Sequence, residues 1–124
     1  MRVRRMNIDR YNPCARWSDA TLYQGIAHFV EVPADTSTGF EHQLVQLLAQ
    51  AEQTLKAIGS DKSRLLSTTI YITERANVSW LNRIWEQWLP DGCAPSRACV
   101  KVELIDPAML VEMAFVAAVD ARVV

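Results

Sequence analysis

Apolar residues recur through the segment TSTGFEHQLVQLLAQAEQTLKAIGSD at Phe40, Leu44, Leu47, Leu48, Ala51, Leu55 and Ile58. Steps of three and four residues stack these side chains on one helix face. Thr38 with Glu41 matches a capping box at the start, and Gly59 supplies the stop. A second helical stripe runs through NVSWLNRIWEQWLPDG, where Val78, Leu81, Ile84, Trp85, Trp88 and Leu89 share a face and Pro90 to Gly92 ends the run. At this spacing Trp80, Trp85 and Trp88 read as core residues rather than a stacking platform.

Between and around these helices the period changes to two. Val3 to Ile8 alternates weakly and reads as a first, edge strand. Trp17 to Tyr23 and Ile26 to Val32 are β-prone runs joined by Gln24-Gly25, a hairpin signal, and Pro33 closes the second because it cannot donate to a ladder. Leu65 to Thr73 is a β-branched strand. Arg97 to Leu104 and Leu110 to Val119 form the last two, joined around Asp106-Pro107 as a hairpin. The expected fold is therefore α+β, a mixed sheet with two helices on one face. Strands on either side of a crossover helix should run parallel.

The alternation in SRACVKVEL places Arg97, Cys99, Lys101 and Glu103 on one face and Ala98, Val100, Val102 and Leu104 on the other. The apolar set is assigned to the core, which puts Arg97 on the face that helices leave bare. A bare, half-polar face is economically covered by copies of the same chain, so a homo-oligomer is expected. If Glu103 faces Glu112 across the last hairpin, Arg97 faces Ala118. Arg97 and Glu112 then lie about 20 Å apart along the strands and meet only across a subunit boundary.

Composition narrows the function. The chain of 124 residues is half hydrophobic and 22% charged with a net charge of −1, which fits one globular domain over residues 1–124. Arg2, Arg4 and Arg5 form the one basic cluster, too short for a nucleic-acid footprint. No apolar run reaches the length of a membrane span and the start lacks a signal-peptide core, so a cytoplasmic protein without membrane contacts is expected. Cys14, Cys93 and Cys99 show no CxxC spacing, and His28 and His42 form no HxH or HExxH pattern, so neither a disulfide framework nor a metal site is expected.

APSRACVKVEL followed by LVEMAFVAAV resembles the C-terminal signature of the reactive intermediate/imine deaminase family, also called Rid or YjgF: Pro-x-Arg-x-Cys-Val, then a strand with an apolar-Glu-apolar core. ARWSDATLYQG and SRLLSTTIYIT are similar to the short, bacterial YoaB-like branch, and the likeness runs from about Ile8 to Val119. The resemblance implies a chorismate-mutase-like homotrimer with clefts between subunits. It also implies hydrolysis of enamines and imines, such as 2-aminoacrylate and 2-iminopropanoate, to a 2-keto acid and ammonia without a cofactor. Carried over residue by residue, it makes Arg97 the carboxylate anchor and Glu112 the acidic catalytic residue. Cys99 becomes the thiol beside the anchor, and Trp17 stands where the family has a cleft tyrosine. The chain departs from the family at Phe29-Val30-Glu31-Val32-Pro33, which lacks the usual small-Gly segment. Glu31 is expected to bring bulk and negative charge into the cleft.

The chemistry is consistent with this. A guanidinium grips a carboxylate through two parallel hydrogen bonds, whereas the plainer role for Arg97 is a salt bridge to Glu103 or a neighbouring chain. Glu112 is suited to act as general base toward a water, or is simply a solvated strand glutamate. Cys99 has no histidine placed to activate it and reads as a structural thiol whose N–H helps hold the ligand. Three functions follow: an imine deaminase, a non-catalytic trimer that binds a small carboxylate metabolite such as a keto acid, and a ribonuclease, which the charge balance disfavours.

Overall fold

A computed structural model describes residues 2–120. Its sheet is built from β1 (Asp9–Tyr11), β2 (Ala20–Tyr23), β3 (Ile26–Glu31), β4 (Leu65–Ile72), β5 (Ser96–Lys101) and β6 (Val111–Ala118). Helix α1 (Phe40–Ala57) lies between β3 and β4, and α2 (Val78–Trp88) between β4 and β5. The strand order is β1-β2-β3-β6-β4-β5, with β4 and β5 parallel and the remaining neighbours antiparallel. The α+β architecture and the parallel pairing across a crossover helix follow the expectation.

Both helices sit on one face. Phe40, Leu44, Leu47, Leu48, Ala51 and Leu55 of α1 and Leu81 and Trp85 of α2 are buried against Phe29, Ile70, Ile72, Val111, Met113 and Phe115 of the sheet. The rings of Phe29 and Phe115 stack with centroids 4.9 Å apart on paired strands. Burial of such side chains stabilises by about 1.5–3 kcal/mol each, so this layer is the main source of stability. Trp85 and Trp88 pack at 5.4 Å between centroids, whereas Trp80 is 45% exposed under the Arg83 guanidinium. The tryptophans therefore divide between core and surface.

Helix α1 begins differently from the capping-box expectation. Its N-cap is Gly39, and no side chain caps it. Its end follows the glycine signal: Gly59 adopts φ +83°, Gly59 N–H donates to the Lys56 carbonyl and Ser60 N–H to that of Leu55. This paired arrangement satisfies the last carbonyls of the helix, and the positive φ explains why glycine stands there.

Four further expectations are corrected. Residues 2–8, which include the whole expected strand Val3 to Ile8, are not strand, and the edge strand is Asp9–Tyr11. The second strand starts at Ala20, because residues 12–19 form a loop closed by hydrogen bonds from Cys14 N–H to the Trp17 carbonyl and from Asp19 N–H to that of Tyr11. The last two strands form no hairpin: β4 lies between β5 and β6. Glu103 lies beyond the end of β5, and the strand partners are Thr68 for Arg97, Tyr71 for Glu112 and Ile26 for Ala118.

The fourth correction concerns the faces of β5. Arg97 and Cys99 pair with Thr68 and Ile70, which are buried beneath the helices, and Lys101 pairs with Ile72. The charged set therefore faces the helix side, at the sheet edge, while Ala98 and Val100 face the bare side. The reason is positional. As an edge strand next to the polar flank of α2, β5 receives no core packing on that side, and every residue of it is exposed.

Candidate functional site

Arg97 projects from the edge strand toward α2, where its Nη2 donates a hydrogen bond to Oδ1 of Asn82 at 2.9 Å. The two residues line a cleft of about 600 Å³ between the C-terminal half of α2 and residues 90–95. One nitrogen of the guanidinium is held by a neutral amide, so the fork is oriented while its positive charge stays uncompensated by that contact. Such a group is suited to receive an anion. Asn82 was not singled out by the sequence pattern, although it directly follows Leu81 on the border of the apolar stripe of α2, where a side chain reaches the sheet edge.

Glu112 lies on the bare face, half-buried beside Tyr71. Its strand position is three residues from the level of Arg97 and two strands away, about 10 Å in each direction, and the sheet separates the two side chains. Cys99 is an exposed free thiol two residues beyond Arg97 on the same strand face. Among the described residues β5 pairs only with β4, so its outer edge presents unpaired backbone groups. Trp17 is 63% exposed in the loop before β2, four strand spacings or about 19 Å from β5. Within one protomer, then, Arg97 and Cys99 share one edge, while Glu112 and Trp17 are elsewhere.

Glu31 is also placed apart from Arg97. It pairs with Met113, which is core-facing, and so points to the helix side, three strands from β5. Thr54 of α1 donates to its Oε1 at 3.3 Å, while its Oε2 is buried without a partner. Val30 and Val32, not Glu31, carry the bulk on the other side of this segment. Burial pushes the Glu31 carboxyl from its ordinary 4.5 up to about 7; the Thr54 hydroxyl opposes this, and the charge of Asp19 adds to it. The folded chain therefore holds this proton more tightly than the unfolded chain. The associated stability is complete below about pH 4.5 and is lost as pH rises through about 7. Solvent at the partly open site screens the penalty, leaving about 1 kcal/mol. Unfolding in urea from pH 4.5 to 8 should show this decline for the native chain and a flatter profile for Glu31→Gln. Parallel profiles would show that Glu31 titrates normally.

A second residue outside the sequence expectation is Gln43, fully buried on the apolar face of α1. Its Nε2 donates to the carbonyls of Thr38 at 3.0 Å and Ala108 at 2.9 Å, and its Oε1 accepts from Leu110 N–H at 2.9 Å. It thereby fixes the approach to β6, two residues before Glu112. Its position three residues after Phe40 and four before Leu47, a polar side chain inside an apolar stripe, is the signal that marks it.

The bare face has its own character. Val30 is 55% and Val100 40% exposed, and Ala98, Ala114 and Val116 lie on the same side. Ser18, Thr21, His28, Ser67 and Thr69 line a shallow concavity of about 310 Å³ there. Among the described residues, no three His, Cys, Asp or Glu side chains gather in a metal-holding group, and no helix is long and apolar enough to cross a membrane.

This sheet with its two helices on one side is shared with known proteins. The model of the family described as Endoribonuclease L-PSP matches residues 7–119. A RutC family protein from Haemophilus ducreyi is 34% identical over 114 residues, covering 91% of this chain and 97% of the relative. The RutC family protein YoaB of Escherichia coli is 33% identical, covering 92% and 100%. Among solved structures, a Pseudomonas aeruginosa protein superposes with a TM-score of 0.89 at 36% identity over 92% of this chain and all of its own. A YjgF family member from Neisseria meningitidis gives 0.87 at 28% identity, over 94% and 98%. The chain belongs to the L-PSP family, also called the YjgF or Rid family.

Proposed function

We propose that the protein is a homotrimeric hydrolase that deaminates reactive enamines and imines of the 2-aminoacrylate/2-iminopropanoate type in a cleft between subunits. The observation that carries this reading is the placement of Arg97 on an open sheet edge, held by Asn82 beside a cleft, with Glu112 beyond its reach in the same protomer. A site that needs both groups must take Glu112 from a neighbour. The bare face, half polar and half apolar, carries Glu112 and supplies the surface for that neighbour.

In this mechanism Arg97 binds the substrate carboxylate and the edge-strand N–H near Cys99 assists. Glu112 of the adjacent copy removes a proton from water as it attacks the imine carbon. The resulting carbinolamine loses ammonia when the nitrogen receives a proton, and a 2-keto acid remains. The protein's own contribution is orientation and proton transfer, and the reaction draws on no cofactor. In this reading Trp17, like Glu112, reaches the cleft from the adjacent copy and forms an aromatic wall without a hydroxyl.

Generating 2-aminoacrylate in situ and following pyruvate release tests the reading. The native protein should accelerate release, and Arg97→Ala should not. Saturable carboxylate binding without acceleration would favour a non-catalytic binding protein, a rival consistent with the separation of Arg97 from Glu112 in one chain.

The assembly is tested separately. Sedimentation equilibrium at micromolar concentration should give three times the chain mass of 14.0 kDa. Val100→Lys, which plants a charge on the bare face, should shift the mass toward the protomer. A native protein at protomer mass would remove both the interface and the shared cleft.

A further inference from the structure

Far from Arg97, the Glu31 carboxyl and the loop 12–19 that carries Trp17 meet at a polar cavity of about 260 Å³. Tyr11, Asn12 and Asp19 line one side of it, and Gln50, Gln53 and Thr54 of α1 line the other, around Glu31. The cavity lies on the helix side of the sheet, away from the bare face proposed to be covered by neighbouring copies. Its two sides are held unequally. Helix α1 is fixed by the core, and Gln50 donates to the Val32 carbonyl at 2.7 Å and accepts from Ala34 N–H at 3.0 Å. The loop buries no apolar side chain and is closed by three hydrogen bonds. Cys14 N–H donates to the Trp17 carbonyl, Asp19 N–H to that of Tyr11, and Asn12 Nδ2 to Oδ2 of Asp19 at 3.2 Å. Asn12 adopts φ +47°, a left-handed conformation that asparagine enters more readily than most residues. Asp19 is thus the clasp of the loop and also a wall of the cavity that holds Glu31.

We propose that Glu31 is a positioning residue for this loop: its neutral carboxyl lets the loop close, and its ionisation loosens the clasp at Asp19 and releases Trp17. A neutral carboxyl needs no counter-charge in the cavity. Once ionised, Glu31 keeps one hydrogen bond, from Thr54, while its Oε2 is buried without a donor. Asp19 faces it with like charge, and Tyr11 is the other titratable group of the lining. Asn12, Gln50, Gln53 and Thr54 are neutral, and no lysine, arginine or histidine lines the cavity. Two carboxylates at so small a site repel, and both gain by reaching water. Of the two sides, only the loop yields without disturbing core packing.

Proton binding sets the sign. The closed chain holds the Glu31 proton up to about pH 7 and a solvated carboxyl only to about 4.5, so raising pH favours the open loop. Between pH 6 and 8 the closed-to-open ratio should fall severalfold, with about tenfold as the limit for a fully solvated open site. A consequence rests on the reading of Trp17 as a wall of the adjacent copy's cleft. Glu31 of one copy then governs the site of the next, and affinity there weakens as pH rises.

Trypsin reads the loop directly, because Arg16 is exposed within it. Cleavage after Arg16, taken relative to cleavage after Arg83 inside α2, should rise severalfold from pH 6 to 8 in the native full chain. The ratio cancels the protease's own response to pH and any general loosening of the fold. It should stay level in Glu31→Gln, and Asp19→Asn, which removes the repelled charge, should keep less of the rise. A level ratio in the native chain, or an equal rise in Glu31→Gln, would overturn the proposal. Calorimetric titration of pyruvate over the same range checks the consequence, with affinity falling in the native chain and holding in Glu31→Gln. A loop that opens while pyruvate affinity holds would keep the positioning role and remove Trp17 from the cleft.

Discussion

Replacing Arg97 by lysine is expected to weaken binding of a small 2-keto acid roughly ten- to a hundredfold while the fold persists. Lysine keeps the charge but loses the planar fork. In the native chain one arm of that fork donates to Asn82 and the rest is open to a ligand, so orientation is set before binding. A single ammonium must choose between the amide and the carboxylate. Loss of one charge-assisted hydrogen bond costs about 1.5–3 kcal/mol, which sets the range. Arg97 is exposed on an edge strand, so urea unfolding of the variant should match the native chain. Calorimetry and unfolding together check this. If affinity is retained while the assembly falls to protomers, the arginine is an interface ion pair and the proposed role is lost.

Gln43→Leu should produce the largest loss of stability, about 2–4 kcal/mol. Leucine is close in volume, so the substitution leaves no large cavity and overpacks little. It removes the amide that serves the Thr38 and Ala108 carbonyls and Leu110 N–H, and water has no access to replace it at a fully buried site. Each stranded backbone group carries a penalty of about 1–3 kcal/mol, and local relaxation recovers part of the total. Leu110 leads directly into β6, so displacement there should also move Glu112 and lower any imine hydrolysis more than substrate affinity. Equilibrium unfolding in urea measures the first effect and the kcat of the aminoacrylate assay the second. A stability within 0.5 kcal/mol of native, as is usual for surface changes, would show that Gln43 is not a staple.

Much of the local structure was legible because it depends on neighbours in the chain. Leu44, Leu48 and Leu55 announce α1 through their spacing, and Gly59 announces its end through the positive φ that the closing turn requires. Gln24-Gly25 marks the β2–β3 hairpin for the same reason, both residues having positive φ. Arg97 and Glu112 were singled out as candidates only through the resemblance of the motifs around them. Asn82 and Gln43 were not singled out, because a lone amide gives no sign of its partner: those partners lie 15 residues away for Asn82 and 65 and 67 away for the far contacts of Gln43. The Glu31 case shows the same limit. Its side of β3 was undetermined until Met113 was known to be its neighbour.

By itself, then, the sequence determined the helices, most of the strands and the separation of Arg97, Cys99 and Lys101 from Ala98 and Val100 onto two faces. Periodicity is a property of one segment and needs no other. Tertiary structure alone decided that β4 enters between β5 and β6, that the charged set of β5 turns toward α2, and that the apolar set remains on the uncovered side. Alternation divides a strand into two faces but does not say which one is packed. That choice belongs to whichever elements arrive from distant parts of the chain, and at an edge strand no core claimed either face.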